Sequence, residues 1–386
     1  MIIQSFNTVG RIVFGNGALA SLGDEIKRLG GSRAFIVTDP GIRAAGLLDN
    51  MAAALDGTGI DYQWFTEVEP DPGIGIVDAC AADARDFAPD VIIGFGGGSA
   101  LDISKVVAIL LTNTDPVDAY FGMELVQRPG IPLILVPTTA GTGSEVTSIC
   151  VLTDTENNVK KGIVSEHLFA KTALLDPQLT RGLPPHITAY TGLDALIHAI
   201  ESYTGKQSTY LTRPLALEAI RLVARHLRTA YADGTNLEAR EGMLQASLLA
   251  GLAFSNTQTA AAHACALSLG ARFHLPHGVA TSLMLPAAMR FNAIAVPEQM
   301  SHIAEAFGMP LKGLSPMEKA ARAIDAVINL IQDIGFNLGI KNYGVTREDI
   351  PGLAAGAMVA VRLWNNNPRN ANEKDVQKIF EDSFRS

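Results

Sequence analysis

Three short apolar runs, each cut off by turn-forming residues, constrain the first half of this chain more than any other feature. Ala34–Thr38 (AFIVT) stops at Asp39-Pro40, Asp90–Gly94 (DVIIG) runs into glycines, and Pro132–Val136 (PLILV) stops at Pro137-Thr138. Unbroken apolar runs of this length suit strands covered on both faces, the condition of a parallel sheet. Helical patterns fill the intervals: Ala45–Leu55, Val77–Asp86 and Asp102–Leu111. Strand–helix alternation implies right-handed crossovers and predicts a Rossmann-like α/β fold.

Beyond Leu183-Pro184-Pro185 the pattern changes. Ile187–Tyr203, Arg213–Tyr231, Ala239–Ser255, Thr257–Arg272, Pro297–Phe307, Pro316–Ile334 and Arg347–Leu363 carry 3.6-type apolar spacing, and strand signals nearly vanish. Residues before proline resist the helical region, so the Pro-Pro step marks a boundary. The expectation is an α/β domain over residues 1–183 and an all-α domain over residues 184–386, with the cleft between them the default place for a ligand. No fixed-period repeat or low-complexity segment interrupts either part.

Composition narrows the function classes. Lys and Arg number 30 against 39 Asp and Glu, a formal charge of −9, and no basic run exceeds two residues. That argues against a general nucleic-acid binder, which needs clustered cations. The longest apolar stretches fall far short of the ~20 residues that span a bilayer. The N-terminus shows no charged region followed by an apolar block, so no signal peptide is expected. Cys80, Cys150 and Cys265 are odd in number and widely spaced. They read as reduced thiols in a cytoplasmic protein rather than as a disulfide framework.

Gly94-Phe-Gly-Gly-Gly-Ser99 joins the second strand to the helix through Asp102–Leu111. Glycines let backbone approach a phosphate, and a helix N-terminus offers unpaired N–H groups and partial positive charge. A plain tight turn is the competing reading. No Gly-x-x-x-x-Gly-Lys-Ser/Thr pattern is present, which argues against a nucleotide triphosphatase. Pro137-Thr-Thr-Ala-Gly-Thr-Gly-Ser-Glu145 also follows a buried strand and adds hydroxyls and flexible glycines. Two such loops at the C-terminal ends of neighbouring strands would share one crevice and suit a dinucleotide. Asp39 closes the first run, where a carboxylate can accept from an adenosine ribose and repel a 2′-phosphate, favouring NAD over NADP. A turn-forming Asp before Pro40 is the plainer alternative.

The helical half carries a donor set. Asp194 and His198, four residues apart in Gly192-Leu-Asp-Ala-Leu-Ile-His198, share one helix face inside apolar sequence. A surface ion pair or a cap competes with ligation there. His263 stands in Ala260-Ala-Ala-His-Ala-Cys-Ala266, where an imidazole is unexpected, and His277 follows Pro276 at a helix break. Singly, each reads as well as a satisfied core or turn histidine. Together, one carboxylate and three imidazoles suit Fe(II), Zn, Co or Ni without a thiolate. His274, three residues before His277, is a weaker candidate for a further ligand or supporting group.

These motifs, in this order, resemble the iron-containing, metal-dependent alcohol dehydrogenases, whose fold is related to dehydroquinate synthase. The resemblance runs nearly end to end. It takes in Asp39, Gly96-Gly-Gly-Ser-x-x-Asp102, Pro137–Glu145, Asp194-x-x-x-His198-x-x-x-Ser202, His263, Pro276-His277-Gly278 and Asn366-Asn-Pro-Arg369. It implies a dinucleotide-binding domain followed by a helical metal-binding and catalytic domain. It implies that catalysis runs through a metal held by Asp194, His198, His263 and His277. It also implies cofactor contacts at Asp39, Gly97, Gly98, Ser99, Asp102, Thr138, Thr139, Thr142 and Lys160. NAD and Fe(II), with Zn or another divalent ion in its place, are the implied cofactors. A small alcohol or aldehyde is the implied substrate, and a homo-oligomer, dimer or larger, the implied assembly. A dehydroquinate synthase-type lyase is the rival within the same fold.

Two positions depart from the family. Asp71 in Pro70-Asp71-Pro72, a further cofactor contact that the resemblance implies, stands where relatives often have Asn near the adenine, and Leu267 stands where many relatives carry a histidine four residues after the third ligand. The second loss removes a proton relay or a substrate contact. It leaves His274 as a substitute, or a substrate other than a simple primary alcohol, such as an aldehyde carrying an anionic group. Arg272 and Arg369 are then candidate anion partners, though ordinary surface roles fit both.

Overall fold

The computed structural model describes residues 4–154 and 159–385; the first three residues, part of the segment read above for a leader, lie outside it. Its contacts divide the chain into two compact units, residues 7–181 and residues 4–6 with 182–385.

Among the described residues the first unit has nine strands: β1 (Ile12–Phe14), β2 (Arg33–Val37), β3 (Asp61–Phe65), β4 (Val91–Gly96), β5 (Gly122–Met123), β6 (Leu133–Pro137), β7 (Ile149–Asp154), β8 (Val159–Val164) and β9 (Thr172–Leu175). Its helices are α1 (Leu22–Arg28), α2 (Pro40–Ala44), α3 (Leu47–Leu55), α4 (Ile74–Phe87) and α5 (Gly98–Leu110). Six strands form one wholly parallel sheet in the order β1-β9-β6-β4-β2-β3. The three apolar runs are its adjacent members β6, β4 and β2. Ala34 and Ile36 pack with Leu22, Ile26 and Met51 on one face, while Phe35 meets Phe87 on the other. Burial on both faces is why those runs lack polar alternation. Strands β1 and β3 lie at the edges, and β3 alternates exposed and covered residues, which hid it from a search for apolar runs. A small second sheet, β5-β8-β7, contains an antiparallel hairpin that the expected all-parallel alternation did not include.

The second unit is helical: α6 (Pro185–Thr204), α7 (Thr212–Ala232), α8 (Leu237–Phe254), α9 (Ala261–Phe273), α10 (His277–Asn292), α11 (Pro297–Ala306), α12 (Pro316–Asp333), α13 (Ile350–Met358), α14 (Val361–Asn366) and α15 (Glu373–Arg385). Several of these correct the sequence reading. Helix α10 is buried around most of its circumference and contains Pro286, so it shows no polar face. Helix α15 buries Val376, Ile379, Phe380 and Ser383 at helical spacing and was overlooked. The expected single helix Arg347–Leu363 is broken between Met358 and Val361. Helix α9 starts later than expected, because Gln258 takes a left-handed φ of 72°.

Candidate active site

In the helical unit, α6 is buried along nearly its whole inner length and presents Asp194 and His198 one turn apart. His263 sits in the first turn of α9, and His277 is the first residue of α10. These elements bring three imidazoles around one oxygen. The Nε2 atoms of His198, His263 and His277 lie 3.9, 3.8 and 3.6 Å from Asp194 Oδ1. Donor atoms of Asp194, His263 and His277 all fall within 4.8 Å of one another. Donors bound at about 2.1 Å around a tetrahedral ion stand about 3.4 Å apart, so little movement closes the set on a cation.

The polar balance of the site also suits a cation. Asp194 Oδ1 and His263 Nε2 are buried and make no hydrogen bond. A carboxylate oxygen so placed is costly unless a positive charge meets it. His263 Nδ1 is 2.6 Å from Glu201 Oε2, and the Glu201 carboxylate accepts the N–H groups of Ala260 at 2.8 Å and Ala262 at 2.7 Å. A carboxylate on Nδ1 fixes the tautomer and leaves Nε2 as the lone-pair donor. Burial alone would lower the His263 pKa, but the Glu201 and Asp194 carboxylates outweigh it and raise it above the usual histidine value. Glu201 escaped the sequence reading. Its signal was there: it is seven residues after Asp194, on the same helix face.

The Phe254 ring covers one donor. Phe254 stacks on His198 with centroids 4.2 Å apart, and His198 stacks on His263 at 4.9 Å. Half-buried Leu267 lies one turn beyond His263. His274 ends α9 in the left-handed region with φ 53° and an exposed side chain. Arg272 and Arg369 are engaged elsewhere, Arg272 with Asp349 at 2.6 Å and Arg369 with the Phe291 carbonyl at 2.9 Å.

In the α/β unit, the register brings the loop residues together. Val37 pairs Gly94 and Gly96 pairs Pro137, so β4 and β6 end together and β2 stops two residues short, which sets Asp39 beside Gly96. Gly97 caps α5 with no side-chain acceptor on its first N–H groups, and Ser99 lies half-buried in that first turn. A Cβ on Gly98 would stand 2.8 Å from Thr142 Cγ2, and one on Gly97 3.6 Å from Thr139 Cγ2, so the two loops touch. Buried Thr138 donates its N–H to the Gly96 carbonyl at 3.0 Å. Asp39 does two things at once. Its Oδ1 accepts from Ile42 N at 3.0 Å as the cap of α2, and its Oδ2 lies against Gly96, where a Cβ would come within 2.9 Å. Burial pushes the Asp39 carboxyl up, partly offset by the backbone N–H groups of Ile42 and Gly41.

Three expected contact residues have partners within the protein. Asp102 accepts from Ser144 Oγ at 2.6 Å and Val151 N at 2.8 Å. Its neighbour Lys105 is fully buried and donates to Ser144, Thr147 and the Ile149 carbonyl. Asp102 therefore braces the threonine loop. Lys160 and Asp71 meet in an ion pair of 2.5 Å.

Comparison with known proteins decides the family. Residues 10–177 match the sequence model of the iron-containing alcohol dehydrogenases, and residues 188–384 match that of the C-terminal part of the same family. The chain belongs to the iron-containing alcohol dehydrogenase family. Among other members, it is 46% identical to a sulfoacetaldehyde reductase of Bilophila wadsworthia, covering 98% of each chain. The solved structure of a 1,3-propanediol oxidoreductase superimposes with a TM-score of 0.96 at 40% identity, over 99% of this chain and 100% of that one. A sulfoacetaldehyde reductase from Bifidobacterium kashiwanohense, solved in complex with NAD+, superimposes with a TM-score of 0.89 at 32% identity, over 100% of this chain and 99% of that one. As an oxidoreductase of this family, the protein has no described helix long and apolar enough to cross a membrane.

Proposed function

We propose that this protein interconverts a small primary alcohol and its aldehyde with NAD(H), using Fe(II) or another divalent cation held by Asp194, His198, His263 and His277. One observation carries the reading: three imidazole Nε2 atoms stand 3.6 to 3.9 Å from a single buried carboxylate oxygen that has no hydrogen bond. When bound, the cation supplies Lewis-acid polarisation of the alcohol or carbonyl oxygen, and the nicotinamide accepts or donates hydride. The protein's own residues do the rest. Glu201 keeps the His263 Nε2 lone pair presented, and Phe254 with Leu267 keeps water away from the donors.

In this reading residues 1–183 bind the dinucleotide and residues 184–386 carry the metal chemistry. The N-terminus of α5, with Gly97, Gly98 and Ser99, receives the pyrophosphate beside Thr138, Thr139 and Thr142. Asp39 receives the ribose hydroxyls and disfavours a 2′-phosphate. Lys160, tied to Asp71, serves the ribose side. Three buried, unpaired thiols fit a cytoplasmic protein, and a homo-oligomer is the assembly this reading expects.

The test is a panel of alcohols and aldehydes followed by NADH absorbance, on protein reconstituted with Fe(II) and with Zn(II). Steady metal-dependent NADH turnover is expected. Substrate consumption without net NADH change would instead favour a lyase of the dehydroquinate synthase type.

A further inference from the structure

We infer that Arg362 receives an anionic group on the substrate, so that the preferred aldehyde carries a sulfonate or carboxylate a carbon or two from its carbonyl. This rests on the function proposed above and narrows its substrate class.

The helical unit holds a charge that lacks a partner among the described residues. Arg362 is half-buried in the first turn of α14, yet no hydrogen bond, ion pair or ring contact joins its guanidinium to any described residue. Burial alone pulls its pKa below the ordinary arginine value, and no carboxylate offsets it. The buried arginine Arg240 in the same unit shows the usual solution. It donates to the Gly234 carbonyl, the Thr188 hydroxyl and the Leu183 carbonyl at 2.9, 2.7 and 3.0 Å. A half-buried guanidinium without such partners is unfavourable in the free protein, unless a ligand supplies the counter-charge. A first-turn position adds to the cost, because the helix dipole disfavours a cation there.

The second observation is where Arg362 stands. The segment from α13 to α14 runs antiparallel to α9, and three contacts set its register. A Cβ on Gly352 would meet Arg272 Nη1 at 2.7 Å, one on Gly356 would meet Ser268 Oγ at 2.5 Å, and Asn366 Nδ2 donates to the Gln258 and Thr259 carbonyls at 2.9 and 3.2 Å. Between the last two contacts, Arg362 comes abreast of the first turn of α9, the turn that carries His263. Asn366 and Arg362 are four residues apart and share the helix face turned to that segment. The register thus sets the backbone of the unpartnered arginine beside the turn that carries His263. Leu267, at the position where many relatives carry histidine, offers no polar group to a substrate from that face of α9. A guanidinium matches the planar or tripodal oxygens of a carboxylate or sulfonate better than an ammonium does.

The reaction read out is aldehyde plus NADH plus a proton giving alcohol plus NAD+. Sulfoacetaldehyde and propanal are compared as substrates for the Fe(II)-loaded protein, for Arg362→Met and for Arg362→Lys. The wild type is expected to favour sulfoacetaldehyde in kcat/KM. Arg362→Met should cut that preference by about 10- to 100-fold, mainly through KM, as loss of a charge-assisted hydrogen bond does. Arg362→Lys should recover part of it. Should Arg362→Met not fold, ethanesulfonate gives a second readout: it should compete with the aldehyde in the wild type and compete more weakly in Arg362→Lys. A wild type that turns over propanal but shows no preference for sulfoacetaldehyde overturns this inference and leaves the proposed function standing. Equal losses on both substrates in Arg362→Met also overturn it, since they mark a structural role. A wild type that turns over no aldehyde with NADH removes the proposed function itself.

Discussion

Glu201 and His263 are locked together: the glutamate Oε2 lies 2.6 Å from the imidazole Nδ1, and the same carboxylate accepts two N–H groups at the start of α9. One side chain on α6 therefore sets both the orientation of a donor ring and the beginning of the helix that bears it. Glu201→Gln keeps the size but weakens these charge-assisted bonds. Metal affinity should fall about 10- to 100-fold, the usual cost of losing such a supporting partner. Chelator competition on the variant and the wild type measures it, and an unchanged affinity would show that Glu201 serves α9 alone.

Removing the shared carboxylate should have a harsher effect. Asp194→Ala should abolish NADH turnover while circular dichroism and the unfolding transition stay close to wild type, because the costly unpaired oxygen is lost along with the ligand. Stripping metal from the wild type should likewise stop activity, and Fe(II) should restore it. Full turnover by a verified metal-free Asp194→Ala protein would reject the metal site.

Asp39 is the element of the first loop that distinguishes the two nicotinamide cofactors by charge. Asp39→Gly should raise the ratio of NADPH to NADH use by about 10-fold or more, since a buried like charge near a 2′-phosphate is removed. The lost cap on Ile42 should cost a few tenths of a kcal/mol, small for a cap replaced by glycine. Paired kinetics with both cofactors decide it.

Gly98 tests how closely the two nucleotide loops must approach. Gly98→Ala sets a methyl 2.8 Å from Thr142 Cγ2, so the threonine loop has to shift. KM for NAD should rise about tenfold, with kcat changed less, as a positional effect on binding predicts. Equal KM values would mean that the loop yields without disturbing the cofactor.

Glu145 should leave a pH signature on stability. Burial pushes its carboxyl from the ordinary 4.5 up to about 7, so the folded protein holds a proton that the unfolded chain releases. This contribution is fully present below about pH 4.5 and is lost as pH rises through about 7. Glu145→Gln removes the titration. Its Tm should gain on the wild type at pH 8 and lose that advantage at pH 5; a constant difference across that span would contradict the assignment.

Much of this was legible in residue order alone. Unbroken apolar runs named the adjacent strands β2, β4 and β6 because a doubly covered strand has no solvent face to record. Helical spacing put Asp194 and His198 on one face, and the ordered motifs named the family. The sequence was silent where the deciding contacts join residues far apart in the chain. Whether His263 and His277 reach Asp194, and that Glu201 holds His263, depends on how α6, α9 and α10 pack. Nothing in residue order showed that Asp102 also accepts from Ser144 and Val151. Arg272 and Arg369 looked free until partners met them, while Arg362 drew no attention. Local periodicity reports which face of an element is covered; a charge acquires its partner, or lacks one, only when distant segments are packed together.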